Sequence, residues 1–325
     1  MNTLFDISKV ILNSKKIGIT YHVSPDGDAV GSALALLNAL IYLKKDAYLI
    51  SKDIISDNLQ FLKSSNEATG LVTTPSNDTD IVIVVDCGNI DRISAELNSF
   101  NKTIINIDHH LSNDKYGKYN YVDTEASATA EIIFELLGLL GVDLSIKNDI
   151  NYEIGTCIYT SLVTDTGGFR HSNVTARTHK IASDLKKIGV NNNYIYQNIY
   201  DNNSFEKIRL IGKAINNMEL FFNRKVALIK IPKAYAEELD IEIGDTSNII
   251  SFGLQIKGVE VAVLVKETDK GSKISLRSKN NFDVRKIAEK LGGGGHIKAA
   301  GINLNGYTIE KAKDVILEEI EKELL

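Results

Sequence analysis

Four short segments of the sequence place aspartates or histidines directly after apolar runs. They are HVSPDGDAVGS (22–32), VVDCG (84–88), NIDHH (106–110) and TDTGGF (164–169). Carboxylates and imidazoles are the side chains that bind divalent cations and move protons near neutral pH. A single aspartate after a strand is usually a turn or cap residue. The chemistry therefore depends on whether the four segments meet.

The elements around these segments predict that they do meet. The runs that are typical of strands are KIGITYHVS, DAYLIS, DIVIVVD and KTIINIDHH, and the runs that are typical of packed helices are AVGSALALLNALIYL and SATAEIIFELLGLLG. Continuous β-branched strands that alternate with helices predict a mostly parallel sheet with helices on both faces. Ligands bind beyond the carboxyl ends of such strands, so the acidic segments fall at one edge of the sheet.

The converging side chains predict a metal site. Those at the sheet edge are Asp26, Asp28, Asp86, Asp108, His109 and His110, and Asp165 follows a long helix and completes the ring. Carboxylates gathered in one place raise each other's pKa unless cations are bound. Four ionised aspartates carry a charge that two divalent ions, roughly 3.5–4 Å apart, would neutralise. Oxygen ligands with one imidazole per ion favour Mn²⁺, with Mg²⁺ or Co²⁺ as alternatives. Zinc is less favoured because no cysteine takes part.

The length of 325 residues is enough for two domains. Helical patterns dominate from about residue 148 to residue 218, and the pattern changes near Phe221, where short strands and two further helices follow. We predict an α/β fold with a catalytic domain over 1–185, a helical connector over 186–223 and a smaller α/β domain over 224–325.

Composition and charge exclude several classes of protein. The net charge is −5 and the pI is near 5.8, which argues against long duplex nucleic acid as a partner. Cys87 and Cys157 are too few for a disulfide framework, and both lie in apolar surroundings. The N-terminus lacks the apolar region of a signal peptide, and no apolar run reaches the roughly 18 residues of a membrane span. We therefore expect a cytoplasmic protein without a membrane partner.

The four segments, in this order, closely resemble the successive motifs of the DHH phosphoesterase superfamily. The C-terminal LGGGGHIKAAG (291–301), preceded by ISLRS, resembles the DHH-associated substrate-binding domain. The resemblance covers nearly the whole chain, and the branch that it resembles most holds the bacterial nano-RNases (short oligoribonucleases) and pAp phosphatases.

The resemblance implies a role for each side chain at the sheet edge. The first metal would be held by His22 and Asp26, the second by Asp28 and His109, and Asp86 and Asp165 would bridge or be shared. His110 would point at the scissile phosphate. Asp108 would lie behind the ligands and orient a histidine, and its carboxylate would fix the tautomer of that histidine.

The glycine run near the C-terminus is a candidate substrate clamp. From the residues alone, a flexible linker and a phosphate-binding loop are about equally favoured. The resemblance implies that Gly293, Gly294, Gly295 and His296 grip the substrate and that Arg277 pairs with a phosphate. Weaker candidates for substrate contact are Arg170, His171, Arg285 and Lys298. For Ser127, Thr129 and His179, the sequence context favours a structural role.

We therefore predict a two-metal-dependent phosphoesterase. It would hydrolyse short oligoribonucleotides and dinucleotides to mononucleotides, and pAp (3′-phosphoadenosine 5′-phosphate) to AMP. One alternative is an inorganic pyrophosphatase, which uses a similar metal-binding half. A second is a non-catalytic module that senses nucleotides. The sequence leaves open the ranking of pAp, pGpG, pApA and longer oligomers, and also the oligomeric state, a homodimer included.

Overall fold

In the computed structural model, which describes residues 2–242 and 246–324, the chain folds as two separate units. The division falls between Asn202 and Asn203, inside the segment 186–223 that the sequence predicts as a connector. The three-part division into 1–185, 186–223 and 224–325 stays a prediction.

A five-stranded parallel sheet with strand order β2-β1-β3-β4-β5 forms the centre of the first unit. Its strands are β1 (Lys16–Thr20), β2 (Asp46–Leu49), β3 (Ile81–Val85), β4 (Thr103–Asp108) and β5 (Tyr119–Val122). The predicted α/β class and the mostly parallel sheet are confirmed. The edge strand β5 was not predicted, because its short YNYV sequence is half-buried and lacks an apolar run.

Helices cover one face of this sheet. The helices of the unit are α1 (Leu4–Asn13), α2 (Gly27–Tyr42), α3 (Thr129–Leu139), α4 (Asp149–Asp165), α5 (Ala176–Lys187) and α6 (Asn192–Tyr200). Alternate strand residues such as Ile83 and Val85 pack against them in the main core. The opposite face, with Val82 and Val84, packs against Ile93 and neighbouring loop residues instead of the helices that the sequence predicts there. Within the described ranges, no helix is both long enough and apolar enough to cross a membrane.

Two glycines allow helices α2 and α4 to pack very closely. A Cβ atom on Gly31 would lie 2.5 Å from the backbone oxygen of Cys157, and one on Gly27 would overlap the side chain of Thr164. Side chains larger than a hydrogen atom would therefore push the two helices apart. The close approach brings the start of α2, with Asp28, next to the end of α4, with Asp165.

The second unit is a smaller α/β structure, as predicted. Its six-stranded sheet has the order β10-β11-β9-β8-β7-β6 and is antiparallel except for the β7–β8 pair. The strands are β6 (Glu219–Phe221), β7 (Val226–Ile231), β8 (Val261–Thr268), β9 (Gly271–Ser278), β10 (Gly294–His296) and β11 (Ala299–Asn305). The helices are α7 (Phe205–Asn216), α8 (Lys233–Leu239), α9 (Ser247–Gln255), α10 (Val284–Lys290) and α11 (Ile309–Leu324).

Candidate metal centre

The acidic and histidine side chains that the sequence singles out in the first unit form one cluster at the carboxyl edge of the sheet. Three groups within it have donor atoms that all lie within 4.8 Å of one another. The groups are His22, Asp26 and Asp86; Asp28, His109 and Asp165; and Asp86, His109 and His110. The predicted convergence of the four motifs therefore occurs in the structure.

Asp86 lies between the first two groups. Its Oδ2 atom is 3.7 Å from Nε2 of His22, and its Oδ1 atom is 3.6 Å from Nε2 of His109. Nε2 of His109 is also 3.7 Å from Oδ2 of Asp165 and 3.8 Å from Oδ2 of Asp28. These separations exceed the length of a hydrogen bond. At these four separations the donor atoms surround a shared space, which is what a bound cation requires.

The backbone fixes the two flanking histidines in the orientation that metal ligands need. Nδ1 of His22 is 3.0 Å from the backbone oxygen of Val23, and Nδ1 of His109 is 3.1 Å from that of Ala126. Because a carbonyl oxygen only accepts, each Nδ1 carries the proton. In the neutral ring, the lone pair of Nε2 then points towards the carboxylates.

Two helix starts hold two of the carboxylates. Asp26 caps helix α2, where its Oδ1 accepts hydrogen bonds from the backbone amides of Asp28 (3.0 Å) and Ala29 (3.1 Å). Asp28 reaches the start of helix α3 and accepts from the amides of Thr129 (2.7 Å) and Ala130 (3.2 Å). The positive ends of both helix dipoles therefore meet the negative cluster.

Three polar side chains outside the predicted set support the carboxylates. The hydroxyl of Ser32 donates to Asp28 (2.9 Å), that of Thr129 donates to Asp86 (2.9 Å), and the amide of Asn113 donates to Asp108 (2.6 Å). The position of Ser32, one helical turn after Asp28, was a usable sequence signal. The sequence favours a capping role for Thr129, and nothing in it marks Asn113.

Asp108 and His110 form a buried charged pair. Nδ1 of His110 is 2.7 Å from Oδ1 of Asp108, which is fully buried. Burial disfavours the charged carboxylate, but the hydrogen bonds from His110 and Asn113 outweigh it and lower the pKa of Asp108 to about 2. The same carboxylate, against the effect of burial, raises the pKa of His110. The hydrogen bond to Asp108 therefore favours the protonated form of His110 beside the donor groups.

The remaining carboxylates carry an excess of negative charge. Burial, together with neighbouring carboxylates, raises the pKa of Asp28 and of Asp165 to about 7. Burial opposes a charge on His109, yet the carboxylates of Asp165, Asp86 and Asp28 raise its pKa to about 10. The cluster thus retains protons where a cation is absent. This donor set of carboxylates and Nε2 atoms fits divalent cations.

In the second unit, the sheet brings two of the predicted clamp residues together. Arg277 on β9 and His296 on β10 both lie directly opposite Ala299 on the intervening strand β11. Directly opposed residues of antiparallel strands project to the same face, so Arg277 and His296 share one face of this sheet.

The fold requires glycine at some of the positions next to His296 but not at all of them. A Cβ atom on Gly293 would overlap the carbonyl of Gly301, and Gly295 has a φ of 145° that favours glycine. A Cβ atom on Gly294 would meet nothing within 4 Å. Strand packing thus accounts for Gly293 and Gly295 but leaves Gly294 without a structural reason to be glycine.

His179 and two of the weaker candidates, Arg285 and Lys298, have structural contacts. The ring of His179 stacks on Phe169 with 5.6 Å between centroids, and Arg285 lies 3.4 Å from a carboxylate oxygen of Asp283. The amine of Lys298 is 3.2 Å from the backbone oxygen of Phe282. These contacts agree with the structural role that the sequence favours for His179.

Comparisons with known proteins match both units. The DHH family N-terminal domain matches residues 16–162, and the DHHA1 domain matches residues 225–324. The bifunctional oligoribonuclease and PAP phosphatase NrnA of Thermus thermophilus is 32% identical, over 95% of this chain and 90% of the relative. The protein of the same name from Bacillus subtilis is 30% identical, over 92% of each chain.

A solved structure has a similar fold. The crystal structure of an exopolyphosphatase-related protein from Bacteroides fragilis superposes with a TM-score of 0.88 and 30% identity, covering 98% of this chain and 96% of that one.

Proposed function

Because the chain belongs to the DHH family, we propose that it is a divalent-metal-dependent phosphoesterase that acts on short nucleotides. Its substrates would be short oligoribonucleotides and dinucleotides, which it cleaves to mononucleotides, and pAp, which it converts to AMP. The names of the Thermus and Bacillus relatives support both activities.

The observation that carries the proposal is the central place of Asp86. Its two carboxylate oxygens face different histidines, Nε2 of His22 at 3.7 Å and Nε2 of His109 at 3.6 Å. A carboxylate that serves two donor groups at once is what a pair of neighbouring ions needs.

The donor groups support the following ligands. In the proposed site, His22 and Asp26 would hold one ion and Asp28 and His109 the other, while Asp86 and Asp165 would be shared or bridging. We propose Mn²⁺ as the metal, with Mg²⁺ or Co²⁺ as alternatives, because the ligands are oxygens with one imidazole per ion. When bound, these ions would activate water and neutralise the charge that develops on the phosphate oxygens.

His110 acts on the phosphate in this proposal. Asp108 holds its Nδ1 at 2.7 Å and raises the pKa of the ring, which favours its protonated form. The charged ring donates a hydrogen bond from Nε2 to a phosphate oxygen and can supply a proton to the leaving oxygen. The Asp108 carboxylate, in turn, fixes the tautomer and orientation of the ring.

The second unit would supply the substrate clamp, formed by Arg277, Gly293, Gly294, Gly295 and His296. Arg277 offers a fork of donors to a terminal phosphate, and glycines let backbone amides approach it closely. The net charge of −5 disfavours an extended nucleic acid, so short substrates are preferred. We also propose a cytoplasmic location, which agrees with the buried free thiols of Cys87 and Cys157.

Product analysis tests the proposal. The purified chain is incubated with Mn²⁺ and pAp, a dinucleotide, longer oligoribonucleotides or inorganic pyrophosphate, and the products are separated. We expect AMP from pAp, mononucleotides from the dinucleotide and slower cleavage of longer chains. The near-isosteric Asp86→Asn variant should lose roughly a thousandfold or more in rate. Hydrolysis of pyrophosphate alone would favour a pyrophosphatase, and dinucleotide binding without turnover would favour the sensing module.

A further inference from the structure

The backbone at Asp86 has a conformation that side chains other than glycine rarely adopt. Its φ is 55°, in the left-handed region, and the residue is buried at the end of β3. Its amide still donates to the backbone oxygen of Ile107 on β4 at 3.0 Å, so the turn begins within the sheet. Such a conformation costs free energy and persists only where the surrounding structure enforces it.

The enforcing contacts converge on the next residue. The backbone oxygen of Cys87 accepts hydrogen bonds from the hydroxyl of Tyr116 (2.8 Å) and from Nδ2 of Asn106 (3.1 Å), and Nδ2 of Asn113 lies at 3.4 Å. A carbonyl oxygen has two lone pairs, so these donors saturate it. They fix the direction in which the chain leaves Asp86.

Asn106 belongs to the NIDHH motif, yet the proposed chemistry does not use it. It is fully buried on β4, and its Nδ2 also donates to the hydroxyl of Tyr116 at 2.8 Å. In the described part of the chain, its Oδ1 atom has no hydrogen-bond partner. A buried amide oxygen without a partner destabilises the fold. We therefore attribute the presence of Asn106 to the hydrogen bonds that its Nδ2 atom donates and not to a gain in stability.

We propose that Asn106 and Tyr116 are positioning residues that hold the Cys87 carbonyl and thereby keep the Asp86 carboxylate between the two donor groups. The inference rests on the proposed function, since it assumes that Asp86 binds metal. Because the two carboxylate oxygens of Asp86 approach His22 and His109, one histidine of each group, a displaced Asp86 carboxylate weakens both groups. Asn113 links this arrangement to the charged pair, since it also donates to Asp108 at 2.6 Å.

Metal titration of a hydroxyl-deletion variant tests the inference. Tyr116→Phe removes a donor to Cys87 and keeps the ring. We expect about tenfold weaker Mn²⁺ binding by calorimetry, the size of effect seen when a partner that orients a ligand is lost. The matched control is Tyr48→Phe. Tyr48 packs in the same apolar cluster, and its hydroxyl bonds to the amide of Ser76 at 3.0 Å, away from Asp86. Its Mn²⁺ affinity should equal that of the wild type.

A second variant separates positioning from stability. Asn106→Leu has a similar volume and removes both the donor and the unpaired oxygen. We expect weaker Mn²⁺ binding together with an unchanged or higher Tm, a combination that a purely structural residue would not give. Unchanged Mn²⁺ affinity in Tyr116→Phe, alongside a wild type that binds Mn²⁺, would overturn this inference alone. A wild type that binds none of Mn²⁺, Mg²⁺ and Co²⁺ would overturn the proposed function as well.

Discussion

The hydroxyl of Thr129, at the start of helix α3, donates a 2.9 Å hydrogen bond to the carboxylate of Asp86, at the end of strand β3. The backbone amide of the same threonine donates to Asp28 at 2.7 Å. One residue thus holds carboxylates from two elements. A side-chain substitution can remove the hydroxyl contact to Asp86 and leave the amide contact to Asp28 in place.

Thr129→Val keeps the shape and the backbone amide but removes the hydroxyl donor. We expect Mn²⁺ to bind about tenfold more weakly, because the Asp86 carboxylate loses a contact that orients it. Thr129→Ser retains the hydroxyl and should bind Mn²⁺ within about twofold of the wild type. Calorimetric titration measures both. Equal affinities in the valine and serine variants would contradict this role.

Arg277→Ala should weaken substrate capture without removing the metals. A charge-assisted contact to phosphate contributes roughly 1.5–3 kcal/mol, so kcat/KM on a dinucleotide should fall by about 10–150-fold. On bis-p-nitrophenyl phosphate, which needs only the metal site, the rate should barely change. Arg285→Ala is the control, since that arginine pairs with Asp283 in the same unit. Equal losses on both substrates would mean that Arg277 acts on the metal site.

A substitution at Gly294 tests substrate binding without disturbing the fold. Gly294→Ala places a methyl group in open space, so the Tm should stay close to that of the wild type. If a phosphate approaches this backbone closely, the methyl group should raise KM for pAp by about tenfold or more. Gly293→Ala, whose Cβ would overlap the Gly301 carbonyl, should instead lower the Tm. An unchanged KM in a well-folded Gly294→Ala protein would remove this glycine from the clamp.

Arg177 neutralises a carboxylate buried behind the metal site. Its guanidinium lies 3.3 Å from Glu131, which is fully buried, and 2.6 Å from Asp123. Arg177→Met should lower the free energy of unfolding by about 3 kcal/mol in urea, because it leaves the buried Glu131 carboxylate without a cationic partner among the described residues and with the Ser127 hydroxyl, at 2.7 Å, beside it. The double variant Arg177→Met/Glu131→Gln should recover much of this loss. Lys180→Met, at an exposed pair on the same helix, is the control and should change little.

The stability of the metal-free protein should fall as the pH rises. The pKa values of Asp28 and Asp165, about 7, and of His109, about 10, all lie above the ordinary values of 3.8 and 6.5. The folded state therefore holds more protons than the unfolded state, and stability is lost as pH rises through these values. Thermal melts in EDTA from pH 5 to pH 9 should give a falling Tm.

Added Mn²⁺ should reverse this trend, because it binds the deprotonated ligands. The increase in Tm that Mn²⁺ gives should therefore grow with pH. Asp165→Asn removes one of the repelling carboxylates, so the metal-free variant should lose less stability at high pH. A metal-free wild type whose Tm rises over this range would contradict the charge balance described here.

The sequence predicts that the acidic and histidine side chains converge, and the structure brings them together, whereas some of the elements around them were not predicted. Strand β3, with its apolar run before Asp86, and strand β4, before Asp108, are both marked by local pattern. Parallel pairing then forces their carboxyl ends to one edge, so convergence follows from topology. Strand β5 and the loops that cover the outer face of the sheet carry no such periodicity, because long-range packing decides their conformation.

The partners of the site residues were beyond sequence reasoning. The Cys87 carbonyl is held by Tyr116, 29 positions away, and the Asp28 carboxylate by Thr129, 101 positions away. Contacts at such separations depend on three-dimensional placement, and nothing local marks them. The close packing of Gly31 against Cys157 has the same origin, since a glycine within a helix reads only as a weak helix former.

The carboxylates of the site differ in how much the fold itself needs them. Asp28 accepts hydrogen bonds from the start of α3, so a descendant that had lost catalysis would still be selected to keep it. Asp165 ends helix α4, where a negative charge opposes the helix dipole, and its carboxylate faces His109 and the proposed metal instead of a helix start. In divergent relatives, therefore, an aspartate aligned with Asp28 says little about activity. We expect an aspartate aligned with Asp165 to be the more informative marker of activity, because the fold depends on it less.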